Sequence, residues 1–216
     1  MQSAAVKPYY DALRRKPISR FFKRLVDWLG AFVLTVILSP VLLVVAIMVK
    51  LDSKGPVFYC QERLTRYGKP FRIVKFRTMV TGADKMGALV TADQDPRITA
   101  VGRRLRHYRL DELPQLFNVL AGQMSFVGTR PEVKRYVDCY TPEMYATLLM
   151  PAGITSEASI CFKDEAEILS VDGDTDGIYV TDILPRKMAL NLQALKQFSF
   201  WRDLKTAFRT IIKVFQ

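Results

Sequence analysis

Residues 28–49, WLGAFVLTVILSPVLLVVAIMV, carry no charged side chain, and no other stretch of the chain restricts its possible folds as strongly. The run is long enough to cross the hydrocarbon core of a bilayer and too long for the apolar centre of a signal peptide. A buried helix of a soluble protein is seldom apolar over such a length. Two features argue against a straight crossing. Ser39-Pro40 falls near the middle, where proline leaves a backbone carbonyl without its donor and bends the helix. Both flanks are also basic: Lys7, Arg14, Arg15, Lys16, Arg20, Lys23 and Arg24 precede the run, and Lys50, Lys54, Arg63, Arg66 and Lys69 follow it. Positive flanks stay on the cytoplasmic side, so both ends are expected there. A helix-break-helix over 21–50 that enters and returns through one leaflet meets both conditions, with the Ser39 hydroxyl as a candidate partner for the freed backbone. A full crossing is the alternative. Residues 1–20 read as a retained basic segment, and 51–216 as a cytoplasmic catalytic domain.

The totals narrow the chemistry. A net charge of +11 over 216 residues calls for anionic partners: nucleic acid, an anionic membrane face or a phosphorylated substrate. Half the residues are hydrophobic, which excludes a disordered basic tail. Cys60, Cys139 and Cys161 are scattered and odd in number, as in a reducing compartment without a disulfide framework. His107 is the single histidine. Histidine-clustered zinc is thereby excluded, a Ser-His-Asp triad is disfavoured, and any metal would be a hard cation on carboxylates. The chain contains neither a Gly-Lys-Ser/Thr phosphate loop nor a dinucleotide fingerprint.

Past the apolar run, residues 57–63 and 71–77 read as short strands around a turn at Tyr67-Gly68-Lys69-Pro70. Lys75 and Arg77 share one face of the second strand, where they can hold a phosphate or simply meet solvent. Residues 81–97 read as a loop, 102–106 as a helix, 132–150 as helical with a break near Thr141-Pro142, and 151–155 as a turn. Between them lies RHYRLDELPQ, residues 106–115, with Asp111 and Glu112 side by side and Arg106 and Arg109 just before them. Pro114 suits the first turn of a helix, so a helix is expected to begin near Asp111 and end before Gly122. Asp111 then has two compatible readings. It caps that helix, or it is held ionised by the helix start and the arginines as a nucleophile toward a phosphate. At the C-terminus, Trp201, Leu204, Phe208, Ile211, Ile212 and Phe215 follow helical spacing among Arg202, Lys205, Arg209 and Lys213. That amphipathic helix suits either a membrane interface or the domain core.

These pieces occur in a recognisable order: the Ser39-Pro40 break, LDSKGPVF at 51–58, QER at 61–63, KFRTM at 75–79, LDELPQ at 110–115 and RPE at 130–132. In that order the chain resembles a bacterial sugar transferase of the small monotopic phosphoglycosyl transferase family, from about Phe21 to Phe215. The resemblance implies a helix-dominated α/β cytoplasmic domain with short strands, seated on a re-entrant helix and amphipathic interfacial helices at the bacterial inner membrane. It implies that Asp111 attacks the phosphate of a UDP-sugar, releases UMP, and passes the phosphosugar to a polyprenol phosphate, the undecaprenyl form in the family's usual chemistry. Magnesium with Glu112 as ligand would steady the charge. Lys75, Arg77, Arg106 and Arg130 are the candidate phosphate contacts.

Three departures mark this chain. Gly128-Thr129-Arg130-Pro131 stands where the family often has Gly-Pro-Arg-Pro. Met150-Pro151-Ala152-Gly153-Ile154-Thr155 replaces Arg-Pro-Gly-Ile-Thr, and Ser156-Glu157-Ala158-Ser159 replaces Gly-Trp-Ala-Gln. Two rival readings are weighed. Asp172, Asp174 and Asp176 resemble the metal-nucleotide motif of a glycosyltransferase, and half of a calcium loop that lacks its closing glutamate at Ile183. A membrane-tethered nucleic-acid binder would use the +11 charge, but no nucleic-acid motif accompanies it.

Overall fold

The computed structural model describes residues 3–83, 95–162 and 175–214. Its elements are α1 (Lys7–Arg14), α2 (Pro17–Ile37), α3 (Ser39–Asp52), β1 (Phe58–Leu64), β2 (Pro70–Phe76), α4 (Ala100–His107), α5 (Gln115–Leu120), β3 (Met124–Val127), α6 (Lys134–Val137), β4 (Ala152–Thr155), α7 (Glu157–Cys161), α8 (Thr175–Ile178), α9 (Leu184–Lys196) and α10 (Phe200–Val214). Single 3-10 turns lie at Leu110–Glu112 and Met144–Leu149, and a π turn at Tyr179–Ile183 joins α8 to α9. The α/β, helix-dominated class with short strands is as expected.

The apolar run divides into α2 and α3, bent by 64°. Pro40 has no N–H for the Val36 carbonyl, and the Ser39 hydroxyl donates to that carbonyl instead at 2.8 Å. Among the described residues no single helix is long and apolar enough to cross a bilayer, whereas the bent pair together passes on length and composition.

Burial on α2 and α10 is inverted, whereas α3 buries Val45 and Val49. On α2 the buried positions are Lys23, Asp27 and Ala31, one turn apart, while Phe21, Phe32 and Ile37 face outward, Ile37 being 64% exposed. Lys23 Nζ donates to the Val127 carbonyl at 2.8 Å and pairs with Asp203 at 2.7 Å. Asp27 accepts from the Ser125 hydroxyl at 2.7 Å and from the Phe126 N–H at 3.2 Å. On α10, Asp203, Thr206 and Thr210 turn inward, while Trp201, Phe208, Ile211 and Ile212 are exposed. Polar groups hold these helices to the domain and leave their apolar faces outside. That exceeds the scattered apolar exposure ordinary on a soluble monomer.

The basic N-terminal segment is tied in as well. Val6, Tyr9 and Leu13 pack with Ala146, Leu149, Leu192 and Phe198. β1 and β2 form the expected antiparallel hairpin, with Phe58 opposite Phe76 and Leu64 opposite Pro70. Residues 132–150 depart from the helical reading: only Lys134–Val137 is α-helical, followed by the 3-10 turn. Residues 151–155 depart from the turn reading, because Ala152–Thr155 is a strand that pairs in parallel with Met124–Val127. Beyond that pair, Gly128 N–H donates to the Thr155 carbonyl and Gly153 N–H to the Thr129 carbonyl, each at 2.9 Å. A Cβ on Gly153 would run into the backbone of Gly128. Gly153→Ala is therefore expected to lower stability by about 1–3 kcal/mol, since the two backbones must separate. Thermal unfolding of the purified protein checks this, and an unchanged midpoint would contradict so close an approach.

Candidate active site

The Asp111-Glu112 pair is positioned by a forced reversal of the chain. α4 starts on a Thr99 cap whose hydroxyl accepts from the Gly102 N–H at 3.0 Å. After the helix, Arg109 takes a left-handed conformation, φ 55°, uncommon for a residue with a Cβ. The chain then makes the Leu110–Glu112 turn, and α5 begins only at Gln115. Neither helical segment has a side-chain cap here, so Asp111 is not the N-cap that its position suggested. α5 is fastened to β2 by Asn118, whose Oδ1 accepts from Val74 N–H at 3.0 Å and whose Nδ2 donates to the Arg72 carbonyl at 2.8 Å. This link brings the carboxylate turn alongside Lys75.

Glu112 is the centre of the resulting cluster. Lys75 Nζ donates to its Oε1 at 2.7 Å, while Arg130 donates to Oε1 through one terminal nitrogen and to Oε2 through the other at 3.3 Å. Burial alone would raise the Glu112 pKa, but Arg130 and Lys75 together outweigh it and hold the carboxyl well below its usual range. Asp111 is 7% exposed, and no group among the described residues donates a hydrogen bond to its carboxylate. Burial pushes its pKa up; Lys75 opposes this, Glu112 adds to it, and Arg106 and Arg130 oppose it. The expected ionising effect of a helix start is thus outweighed by burial, and it is the fixed cations that favour the charged form.

Three of the four expected cationic residues are brought to this cluster. Lys75 and Arg130 grip Glu112. Arg106, with its Nε on the Thr78 hydroxyl at 2.9 Å, acts electrostatically on Asp111. Arg77 lies elsewhere, which corrects its reading as a phosphate contact. Buried at 6% exposure, it donates to the carbonyls of Lys54 at 2.6 Å, Ser53 at 2.7 Å and Val49 at 3.3 Å. It closes the carboxyl end of α3, where carbonyls lack helical partners.

Of the residues that anchor the segment after Arg130, the sequence reading had Arg63 and Glu132 only as members of motifs and did not single out Tyr179 or Lys187. Two positions on, Glu132 is buried and accepts from the Tyr179 hydroxyl at 2.6 Å. Lys187 Nζ reaches that hydroxyl at 3.3 Å, and Arg63 donates to the Pro131 carbonyl at 3.1 Å. Tyr179 opens the π turn, so its direction depends on a local irregularity that spacing does not reveal. Of the rival acidic motif, Asp172 and Asp174 lie outside the described residues, while Asp176 accepts from the Tyr136 hydroxyl at 2.6 Å and pairs with Arg135 at 2.9 Å. Among the described residues no three acidic, histidine or cysteine side chains converge as a metal cage.

Beside Glu112 and Arg130 opens a cavity of about 270 Å³, walled by Leu34, Leu38, Leu113, Leu116, Phe126 and Ile154.

The two carboxylates are expected to affect stability in opposite directions. The folded-state pKa of Asp111 is raised, so its ionised form opposes folding above that pKa. Asp111→Asn should unfold no earlier than wild type at pH 7.5. The folded-state pKa of Glu112 is lowered, so its contribution is present above the unfolded value and lost as pH falls through the folded one. Glu112→Gln should cost about 1–3 kcal/mol at pH 7.5, because it leaves buried donors short of a charged acceptor. Thermal melts across pH decide it; equal losses in both variants would refute the opposed roles.

Comparison with known proteins places the chain in a family. The model of the bacterial sugar transferase family matches residues 18–216. The UDP-N-acetylgalactosamine-undecaprenyl-phosphate N-acetylgalactosaminephosphotransferase of Aeromonas hydrophila is 37% identical over 204 residues, 93% of this chain and 45% of that protein. A UDP-glucose:undecaprenyl-phosphate glucose-1-phosphate transferase of Caulobacter vibrioides is 36% identical over 192 residues, 88% of this chain and 68% of that protein. The exopolysaccharide production protein ExoY of Rhizobium meliloti is 32% identical over 211 residues, 91% of this chain and 86% of that protein. The chain spans about two fifths of the length of several relatives it matches. With a family match over nearly its whole length, the chain belongs to the bacterial sugar transferase family.

Proposed function

We propose that this protein transfers a sugar 1-phosphate from a UDP-sugar to a polyprenol phosphate, the undecaprenyl form named for its relatives, with release of UMP, as a first membrane step of surface polysaccharide assembly. The observation that carries the reading is Asp111: a buried carboxylate without hydrogen-bond donors among the described residues, beside cations already fixed by Glu112. Such a group is short of solvation and poised to bond to phosphorus. An Asp111 oxygen attacks the sugar-bearing phosphorus of the donor, and the bridging P–O bond breaks, its electron pair leaving with UMP. The phosphosugar is then an acyl phosphate on Asp111. A phosphate oxygen of the acceptor attacks the same phosphorus, the Asp111 oxygen–phosphorus bond breaks, and the carboxylate is regenerated. Lys75, Arg106 and Arg130 offset charge on the transferring group in both steps.

Magnesium binds through one or two carboxylates together with substrate phosphates; here both Glu112 oxygens are taken by Lys75 and Arg130, so the pair fits the ion only where it displaces one of these cations. Glu112 would be its protein ligand, and the ion would shield the charge of the donor diphosphate. The outward apolar faces of α2, α3 and α10 support an inner-membrane seat in one leaflet, with the basic flanks and the catalytic pair on the cytoplasmic side.

Intact-protein mass spectrometry tests the reading. Detergent-purified protein with magnesium and a panel of UDP-sugars, without acceptor, is expected to gain one phosphosugar, and Asp111→Asn to gain none. Adduct formation should fail on acidification at a pH above the range of an ordinary exposed aspartate, since attack needs the ionised carboxylate and burial raises its pKa. Neither adduct nor UMP release with any donor, even after undecaprenyl phosphate is added, would overturn it. The brace on Arg130 has its own test. Tyr179→Phe should lower kcat about tenfold with donor KM unchanged, and should not slow Arg130→Ala further. Additive losses would show that Tyr179 acts independently of Arg130.

A further inference from the structure

The cavity beside Glu112 has two unlike kinds of lining. One wall is apolar, made by Leu34 and Leu38 at the helix break, Leu113 and Leu116 after the catalytic turn, and Phe126 and Ile154 on the parallel strand pair. The polar lining includes Glu112 and Arg130 of the reacting cluster with His107, Arg109, Ser159 and Lys213. A nucleotide is poorly matched to the apolar wall, where uracil and ribose would be left without hydrogen-bond partners. The match is to an amphiphile with an anionic head and a hydrocarbon tail.

The helices that line the cavity also form the apolar exterior. On α2, Leu34 lines the cavity while Val33 and Ile37 face outward; on α10, Thr210 and Lys213 line it while Ile211 and Ile212 face outward. Leu34 itself is 38% exposed, so one side chain belongs to both surfaces. A tail in the surrounding lipid can therefore reach the phosphate end without crossing water. The wall formed by α7 and α10 is clamped by Glu157, which accepts from Thr206 at 2.7 Å and pairs with Arg209 at 2.8 Å. That clamp lies within Ser156-Glu157-Ala158-Ser159, where this chain departs from its family's usual sequence.

We infer that this cavity is the acceptor subsite: it takes the phosphate of a polyprenol phosphate at the Glu112–Arg130 end and its first isoprenyl units along Leu34, Leu38 and Leu116. The inference rests on the transferase reading above. The UDP part of the donor then approaches Asp111 from outside this cavity.

The two half-reactions separate the claims. Full-length protein in nanodiscs is labelled with the UDP-sugar that gives the wild-type adduct, and undecaprenyl phosphate is then added. Leu34→Trp fills the cavity from the membrane helix, and Ile160→Trp fills it from α7. In each variant the ratio of the transfer rate to the adduct-formation rate is expected to fall at least about tenfold, mainly through a higher acceptor KM. In the wild type, farnesyl phosphate should outperform dimethylallyl phosphate as acceptor, and the tryptophan variants should lose that preference. Unchanged ratios and an intact chain-length preference in both variants would overturn the subsite. So would an equal loss of adduct formation and transfer, which would give the cavity to the donor. Absence of any wild-type adduct or UMP release would instead remove the transferase reading on which the subsite depends.

Discussion

The Glu112 carboxylate is the interaction on which the site depends. Buried alone, it would take up a proton and lose its charge. Paired with Lys75 from β2 and Arg130 from the β3–α6 connection, it stays ionised and draws together two segments far apart in the sequence. The gain is geometric more than energetic, since a buried ion pair rarely adds much net stability. Two long, flexible cationic side chains are fixed before substrate arrives. Positive charge arranged in advance is worth most where phosphate charge moves, because nothing needs to reorganise during the reaction.

The helices with outward apolar faces follow the same logic with the polarity reversed. α2 and α10 are held by Lys23, Asp27 and Asp203, groups that a soluble fold would turn toward water. In the membrane seat proposed above, apolar contact would give these helices no reason to prefer the domain, and polar contacts supply the preference. The Ser39 hydroxyl meets the other demand, adding a donor at the Val36 carbonyl, which Pro40 cannot serve. Together these contacts hold the apex of the bent pair, at Leu38, beside the Asp111-Glu112 turn, because Leu38 and Leu116 pack in one cluster with Ala31 and Met124.

What was legible in the sequence was what local chemistry decides. Proline at 40 breaks a helix wherever it lies, and Gly68 suits the positive φ, 69°, that the hairpin turn requires there. The cluster of Asp111, Glu112, Lys75, Arg106 and Arg130 was legible through an ordered set of motifs, not through any one of them. What was hidden depends on distant partners. Met124–Val127 and Ala152–Thr155 are four residues each, too short for a period, and become strands only by pairing across an intervening 24 residues or so. Arg77 alternates correctly with Lys75, yet the orphan carbonyls of α3 claim it. Asn118 reads as one polar residue in a short helix, and nothing local reveals that it joins that helix to β2.

The division of labour proposed for the two carboxylates follows from their surroundings. Asp111 and Glu112 are adjacent, of one chemical type and mostly buried, so sequence position alone cannot distinguish a nucleophile from a charge-bearing anchor. The structure pushes their pKa values apart: Glu112 down through two direct cationic contacts, Asp111 up through burial without a donor. A carboxylate saturated with hydrogen bonds is a weak nucleophile but a steady anchor. One deprived of them gains most by bonding to phosphorus. Opposed shifts in neighbouring groups are a general mark of opposed roles. Here the mark depends on a backbone choice, the left-handed Arg109, which precedes the turn that sets one side chain against the cations and leaves its neighbour without a partner among the described residues.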